Sequence, residues 1–329
     1  MDRRNILYIC LCFCFMSSLI VFPSLASEGV KYGLKLCCSV IIPSLFPFTV
    51  ASLIIYNVKI TFLSKKLIII ILSFLGGYPV GAKLIDSAYK NLEIDKRTAE
   101  LMLGYCVNSG PAFIVIVIGS KLWNNNAVGA ILLVSSILSS LLIMLMNENF
   151  VSTKSKILSN NYSTQTFSDI FTEATYNATE SMFKICGAVV LFSAIIFLIK
   201  PILQKIVLSD YILSILEITN GVVIAKNNIY LTAFLIGFGG LSVHFQVLSI
   251  CSNLKPSFIR FLFYRILHGA LCAVITSFFL RIFKISIETG VTTAYFSCEL
   301  TKYSIVFSVM LMICCILFMI SVKKSNNLL

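Results

Sequence analysis

Charge is scarce in this sequence. Of 329 residues only 12% are Asp, Glu, Lys or Arg, while 58% are hydrophobic. An ordinary soluble domain carries roughly 25% charged residues, so a conventional water-soluble globule is excluded. Acidic residues are rarer than basic ones, 14 against 26, which leaves a net charge of +12. The excess does not imply a nucleic-acid partner. The lysines and arginines sit in short connections between apolar runs, where positive charge holds a loop on the cytoplasmic side. Histidine is nearly absent, with two residues. No HExxH and no GxSxG occurs, so neither a zinc-peptidase helix nor a nucleophile elbow is present, and no enzymatic activity is expected. The twelve cysteines include no CxxC. Most lie within apolar runs, among them Cys10, Cys12, Cys14, Cys37, Cys38, Cys186 and Cys272, and read as small buried hydrophobes rather than metal ligands. No metal and no cofactor is expected.

What the chain has in quantity is long apolar runs. At about 20 residues per span they allow roughly eight to ten membrane helices or hairpins. A backbone that must satisfy itself inside lipid is helical, so the fold class is an all-α polytopic membrane protein. Arg3-Arg4, the apolar run Ile6–Phe22 and Ser24-Leu25-Ala26-Ser27 resemble a secretory signal, but the run exceeds the ~7–15 residues of a signal core. It is taken as an uncleaved first span with a cytoplasmic N-terminus. Val30–Tyr56 carries Pro43 and Pro47 and reads as one kinked span or a re-entrant hairpin. The run Leu67–Leu75 stops at Gly76-Gly77-Tyr78-Pro79-Val80-Gly81-Ala82-Lys83. Lys83–Glu100 is charged and amphipathic, as expected of a helix on the membrane surface. A second break stands at Asn108–Pro111, a third at Glu217–Gly221 and a fourth at Gly239–Ser242. Ala127–Met146, Phe183–Ile199, Phe258–Phe283 and Tyr303–Val322 are conventional spans, and Lys323-Lys324 place the C-terminus in the cytoplasm. The organisation expected is an N-terminal helix (1–29), a first repeat (30–146), a polar linker with an amphipathic helix (147–181), a second repeat (182–283) and a C-terminal helix and tail (284–329).

Two halves echo each other. Lys35-Leu36-Cys37-Cys38 matches Lys184-Ile185-Cys186-Gly187. Gly76-Gly77-Tyr78-Pro79-Val80 matches Gly239-Gly240-Leu241-Ser242-Val243, an offset that sets Lys83 on Gln246 and Asn57 on Asn220. Weak internal symmetry with broken segments at corresponding places points to a transporter site at the repeat interface. Glycine and proline breaks at membrane depth are tolerated only where protein or a water-filled cavity surrounds them. Half-helix N-termini there favour anions. The substrate-binding residues expected are Gly76, Gly77, Pro79, Lys83, Asn108, Ser109, Glu217, Asn220, Gly239, Gly240, Ser242, His244 and Gln246. Ser242, Gln246 and Ser249 would share one helix face. Lys83 reads either as an anion ligand or as an interfacial lysine reaching for water. His244 and Glu217 read either as structural groups or as carriers of a proton or cation, since ionisable groups inside a membrane are functional suspects. The partners expected are a small anionic substrate and membrane lipid. The oligomeric state is left open.

At these residues the chain resembles a known family. Ile42-Pro43-Ser44-Leu45-Phe46-Pro47-Phe48, Gly77-Tyr78-Pro79-Val80-Gly81-Ala82-Lys83, Asn108-Ser109-Gly110-Pro111, Glu217-Ile218-Thr219-Asn220-Gly221 and Phe238-Gly239-Gly240-Leu241-Ser242-Val243-His244-Phe245-Gln246 are similar, in order, to the YlbJ (SpoVV) family of sporulation integral membrane proteins. The resemblance covers about residues 30 to 275. It implies the nucleoside-recognition or gate domain, a role in spore maturation, and passage of dipicolinic acid across the outer forespore membrane. The gate domain alone would suggest nucleosides, and a non-transporting structural or signalling role is the other alternative.

Overall fold

The computed structural model describes residues 3–58, 63–148, 166–204 and 206–283. The last expected span, Tyr303–Val322, and most of the polar linker lie outside them. The described residues are helical, with no strand among them. Five stretches are long and apolar enough to cross a membrane: Pro23–Asn57, Asn126–Asn147, Phe167–Leu203, Ile229–Ile250 and Phe258–Phe283.

The chain opens with α1 (Arg3–Val21), and Pro23 at the first turn starts α2 (Pro23–Leu36). There proline's missing N–H goes unmissed. A π-helical turn, Cys37–Ile41, leads directly into α3 (Ile42–Asn57). Of the two readings of this segment the single span holds and the re-entrant hairpin is absent: helix runs through both prolines, with no break at Pro43–Pro47. The wider π turn just before Pro43 relieves the clash a proline ring makes with the preceding turn. Hydroxyls then bond back onto carbonyls around the prolines, Ser44 Oγ to Val40 O at 2.6 Å and Thr49 Oγ1 to Leu45 O at 2.8 Å.

Next, α4 (Lys65–Gly76) and α5 (Tyr78–Lys90) pack on each other across one residue, Gly77. Its φ of 82° and ψ of −170° fall in a region open essentially to glycine alone. Helix α6 (Lys96–Cys106) ends before the extended stretch 107–110, and Pro111 opens the helix that becomes the π-helical segment Phe113–Leu122. Helix α7 (Asn126–Glu148) follows. The amphipathic helix and the span after the linker form one rod, α8 (Phe167–Leu203), started by a capping box between Thr166 and Asp169. Two short helices, α9 (Ser209–Leu216) and α10 (Ile218–Ile224), pack together across Glu217. Helices α11 (Ile229–Phe238) and α12 (Gly240–Ile250) are separated by Gly239, left-handed at φ 87°. Helix α13 (Phe258–Phe283) is the last described.

Taken in order, a long helix, a pair of short helices, a broken helix and a spanning helix occur twice. That order sets Gly77 beside Glu217, and Asn108–Gly110 beside Gly239–Gly240. The expected pairing of the two Gly-Gly dipeptides with each other does not follow it.

Helix α5 corrects a second expectation. Pro79, Val80, Gly81, Ala82, Leu84, Ile85 and Asp86 are buried, so it is an interior helix, not a surface one. It packs against α4, α6 and α12. The Asp86 carboxylate accepts Asn253 N–H at 3.1 Å, Leu254 N–H at 2.8 Å and Asn253 Nδ2 at 2.7 Å, closing the turn after α12. Glu100, on α6, accepts Ser257 N–H at 3.3 Å and pairs with Arg260. Charges that look interfacial in sequence hold the connection between α12 and α13.

The layers join at glycines. A Cβ on Gly33 of α2 would stand 2.8 Å from Val190 Cα of α8, and one on Gly29 2.7 Å from Ala194 Cα. Small residues spaced four apart give this close backbone approach in membrane helices. Gly187, also on α8, has nothing within 4 Å of its Cβ position. Gly33→Leu should lower the apparent Tm of the detergent-purified protein, since overpacking costs about 1–3 kcal/mol. Gly187→Ala should leave it unchanged or raise it, because alanine gains up to about 1 kcal/mol of helix propensity. Equal shifts for the two would refute the glycine-mediated contact.

Candidate functional site

The breaks converge. A Cβ on Gly77 would lie 3.1 Å from Gly110 N, and one on Gly240 would lie 2.9 Å from Ile218 N. Tyr78, the first residue of α5, reaches from one pair to the other: a Cβ on Gly239 would lie 3.4 Å from its hydroxyl. Eight helix ends thus meet in the interior, where a helix leaves up to four carbonyls and four N–H groups without intrahelical partners.

The carbonyl ends of α11 and α6 are satisfied largely by side chains. At the end of α11, Leu235 O accepts Gly239 N–H at 2.7 Å. Ile236 O lies 3.0 Å from the Tyr78 hydroxyl and 3.1 Å from the Ser109 hydroxyl; the two hydroxyls are 2.5 Å apart, so one donates to the other and the second donates to the carbonyl. Gly237 O accepts Arg265 Nη2, with His268 Nδ1 at 3.1 Å. Phe238 O accepts Arg265 Nε at 3.3 Å. At the end of α6, Tyr105 O accepts Asn108 Nδ2 at 2.8 Å and Val107 O accepts Arg265 Nη1. Arg265, fully buried on α13, thus ties two helix C-termini together. A cation is favourable there, at the negative end of two helix dipoles. Among the described residues it pairs with no carboxylate. Its guanidinium carbon lies 5.9 Å from the centre of the Tyr78 ring.

A polar chain continues from Asn108. Ser140 Oγ donates to Asn108 Oδ1 at 2.8 Å. His268 Nε2 lies 3.0 Å from both Ser140 Oγ and Ser136 O. Arg265 and His268, three residues apart, share the inward face of α13.

The amide ends differ. Glu217 caps α10, its carboxylate accepting Thr219 N–H at 3.0 Å, Asn220 N–H at 2.8 Å and Asn220 Nδ2 at 2.7 Å. Asn220 Nδ2 also reaches Ser193 Oγ on α8 at 3.1 Å. No side chain caps the N-termini of α5 and α12.

Of the residues expected to bind substrate, Gly77, Asn108, Ser109, Glu217, Asn220, Gly239 and Gly240 stand at the convergence. Pro79 opens α5 beside it, and Gly76 packs under Val80. His244 is buried on α12, with Nδ1 2.7 Å from Gly240 O and Nε2 without a partner among rings of Phe238, Phe258 and Phe261. Ser242 and Gln246 satisfy each other, Nε2 to Oγ at 2.8 Å. Ser249 of the supposed shared face is exposed. Lys83 sits apart: its Nζ is 3.7 Å from Glu180 Oε2 on α8, and Glu180 also holds Lys184 at 2.7 Å.

Sequence reading gave no role to Tyr78, Arg265, Ser140 and His268. The available signal was an arginine and a histidine inside the apolar run Phe258–Phe283, where ionisable groups face a bundle interior.

Fold and site together define an all-α, polytopic integral membrane protein built around broken helices. The chain is similar to the sporulation integral membrane protein YlbJ of Bacillus subtilis (strain 168), 21% identical over an alignment of 336 residues that covers 83% of this chain and 82% of that protein. No protein-family model and no solved structure matches.

The shared acceptor Ile236 O generates a test. Tyr78→Phe and Ser109→Ala each leave it one partner, and each should cost about 1 kcal/mol, the net worth of one hydrogen bond. The double variant leaves a buried carbonyl unsatisfied, at about 1–3 kcal/mol more. A cycle of apparent Tm values should therefore be non-additive; additive shifts would remove the bridging role.

Proposed function

We propose that the protein is a membrane transporter of a small anionic metabolite, dipicolinate in a sporulating bacterium. The observation that carries this is the unequal capping at the convergence. The carbonyl ends of α6 and α11 are filled by side chains, whereas the amide ends of α5 and α12 are capped by none. Amide ends of helices, with their positive dipole, are anion sites, and broken helices place them at the substrate site of many transporters. The similarity to a sporulation membrane protein supplies the setting, and the resemblance of the five ordered motifs supplies the substrate. The recurring order of elements supports two repeat-related halves enclosing one site, with Tyr78 spanning them. Glu217 and Asn220 complete the second half of that site; Lys83 and Gln246 support neighbouring helices.

The test is uptake by proteoliposomes containing the purified protein, with dipicolinate and uridine offered side by side. Dipicolinate should accumulate above protein-free vesicles and uridine should not. Uridine uptake alone would assign a nucleoside-type carrier, and uptake of neither would leave a structural or signalling role.

A further inference from the structure

We infer that Arg265 recognises the carboxylate of the transported anion. The inference rests on the transport reading and names the group within that site that meets the charge. A buried guanidinium is expensive: the effective penalty of removing such an ion from water is several kcal/mol. The other basic side chains in ion pairs among the described residues each have a carboxylate partner. Lys65 has Glu93, Lys83 and Lys184 share Glu180, and Arg260 has Glu100. Arg265 is the most enclosed of these cations, at 0% exposure, and its partners are three backbone carbonyls. Carbonyl dipoles offset part of a positive charge but do not neutralise it.

Its donors also leave room. An arginine has five N–H groups in a planar fork, and the bonds to Val107 O, Gly237 O and Phe238 O engage one on each nitrogen. Two N–H groups remain beyond these carbonyls, with the Tyr78 hydroxyl within reach of the guanidinium; a carboxylate that displaces it would take both in a bidentate pair. Tyr78, whose ring faces the guanidinium, begins α5; Phe238, which Nε holds, precedes Gly239 at the start of α12. A carboxylate on Arg265 therefore sits next to both uncapped amide ends. A planar dicarboxylate can place one group on the fork and the other on the N–H groups of α12, so it is favoured over a monoanion of the same ring.

The alternative is that Arg265 only caps two helix ends. Selectivity distinguishes the two roles, because capping affects every ligand alike. Full-length protein in nanodiscs would be titrated with dipicolinate, its uncharged diamide and picolinate, for the wild type, Arg265→Gln and Arg265→Lys. Arg265→Gln should weaken dipicolinate roughly 10- to 100-fold, the worth of a charge-assisted hydrogen bond, and leave the diamide unchanged. Arg265→Lys keeps the charge without the fork, covers the case in which the glutamine variant does not fold, and should fall between the two, losing its preference for dipicolinate over picolinate. Equal losses for dianion and diamide, or unchanged dipicolinate affinity in a folded variant, would overturn the inference while leaving the transport reading intact. Arg265-dependent binding of picolinate without dipicolinate binding would instead overturn the substrate and keep the residue's role. A wild type that binds no anion would overturn both.

Discussion

The structure depends on one constraint: helix ends placed where water does not reach must find other partners. An unsatisfied backbone group in hydrocarbon costs several kcal/mol, and four breaks bring eight ends into the interior. Each carbonyl from Leu235 to Phe238 is accounted for by a named donor: Gly239 N–H, the Tyr78 or Ser109 hydroxyl, Arg265 and His268. None of the side-chain donors belongs to α11. They come from α5, from the stretch after α6, and from α13. The break at Gly239 is thus stable only in the assembled bundle, and the assembled bundle needs the break, since a continued helix would turn these carbonyls inward and leave the donors unpaired.

The charges follow from the same constraint. Carbonyl ends concentrate negative potential, and the interior answers with Arg265. The amide end of α10 concentrates positive potential and is answered by Glu217. Asp86 and Glu100 do at the turn after α12 what Glu217 does at α10, accepting backbone N–H groups that no helix satisfies. Buried acids here serve chain reversals, and their partners are mostly amides rather than cations. That division leaves the amide ends of α5 and α12 without a side-chain cap, and they adjoin the one buried cation with no carboxylate partner among the described residues.

The four breaks at Gly77, Asn108–Pro111, Glu217 and Gly239 were legible in the sequence because each rests on a residue with a local preference: Gly77 and Gly239 at positive φ, Pro111 opening a helix and Glu217 capping one. Pro43 and Pro47 left two readings open because a proline's effect depends on what surrounds it. The π turn before Pro43 absorbs what would otherwise end the helix, and Pro43 falls in the first turn of α3, where a proline is tolerated. Helix α5 was misread because charged residues at helical spacing look alike whether they face water or hold a buried turn, and Asp86 does the latter. Arg265 escaped notice because its partners are main-chain carbonyls, which no residue letter marks. Lys83, a conspicuous charge beside a glycine break, drew attention instead, and its side chain turns to Glu180.

The turns themselves show why matching letters mislead. Gly76-Gly77 and Gly239-Gly240 look equivalent, but their roles differ. Gly77 lets two short helices fold onto each other, and four residues on, Gly81 packs against Cys106 O of α6, 2.3 Å from its Cβ position, with Ser73 Oγ of the incoming arm at 3.2 Å. Glu217 stands at the corresponding turn, and four residues on, Gly221 packs against Ser214 O. A glycine at one turn and a glutamate at the other solve different parts of the problem, one the backbone angle and the other the orphan amides. Gly239 instead ends a helix in the left-handed conformation typical of a C-terminal cap. What recurs is the position of a turn against its neighbouring helix. Close backbone packing fixes that position and leaves the residue type free to serve the local end it must satisfy.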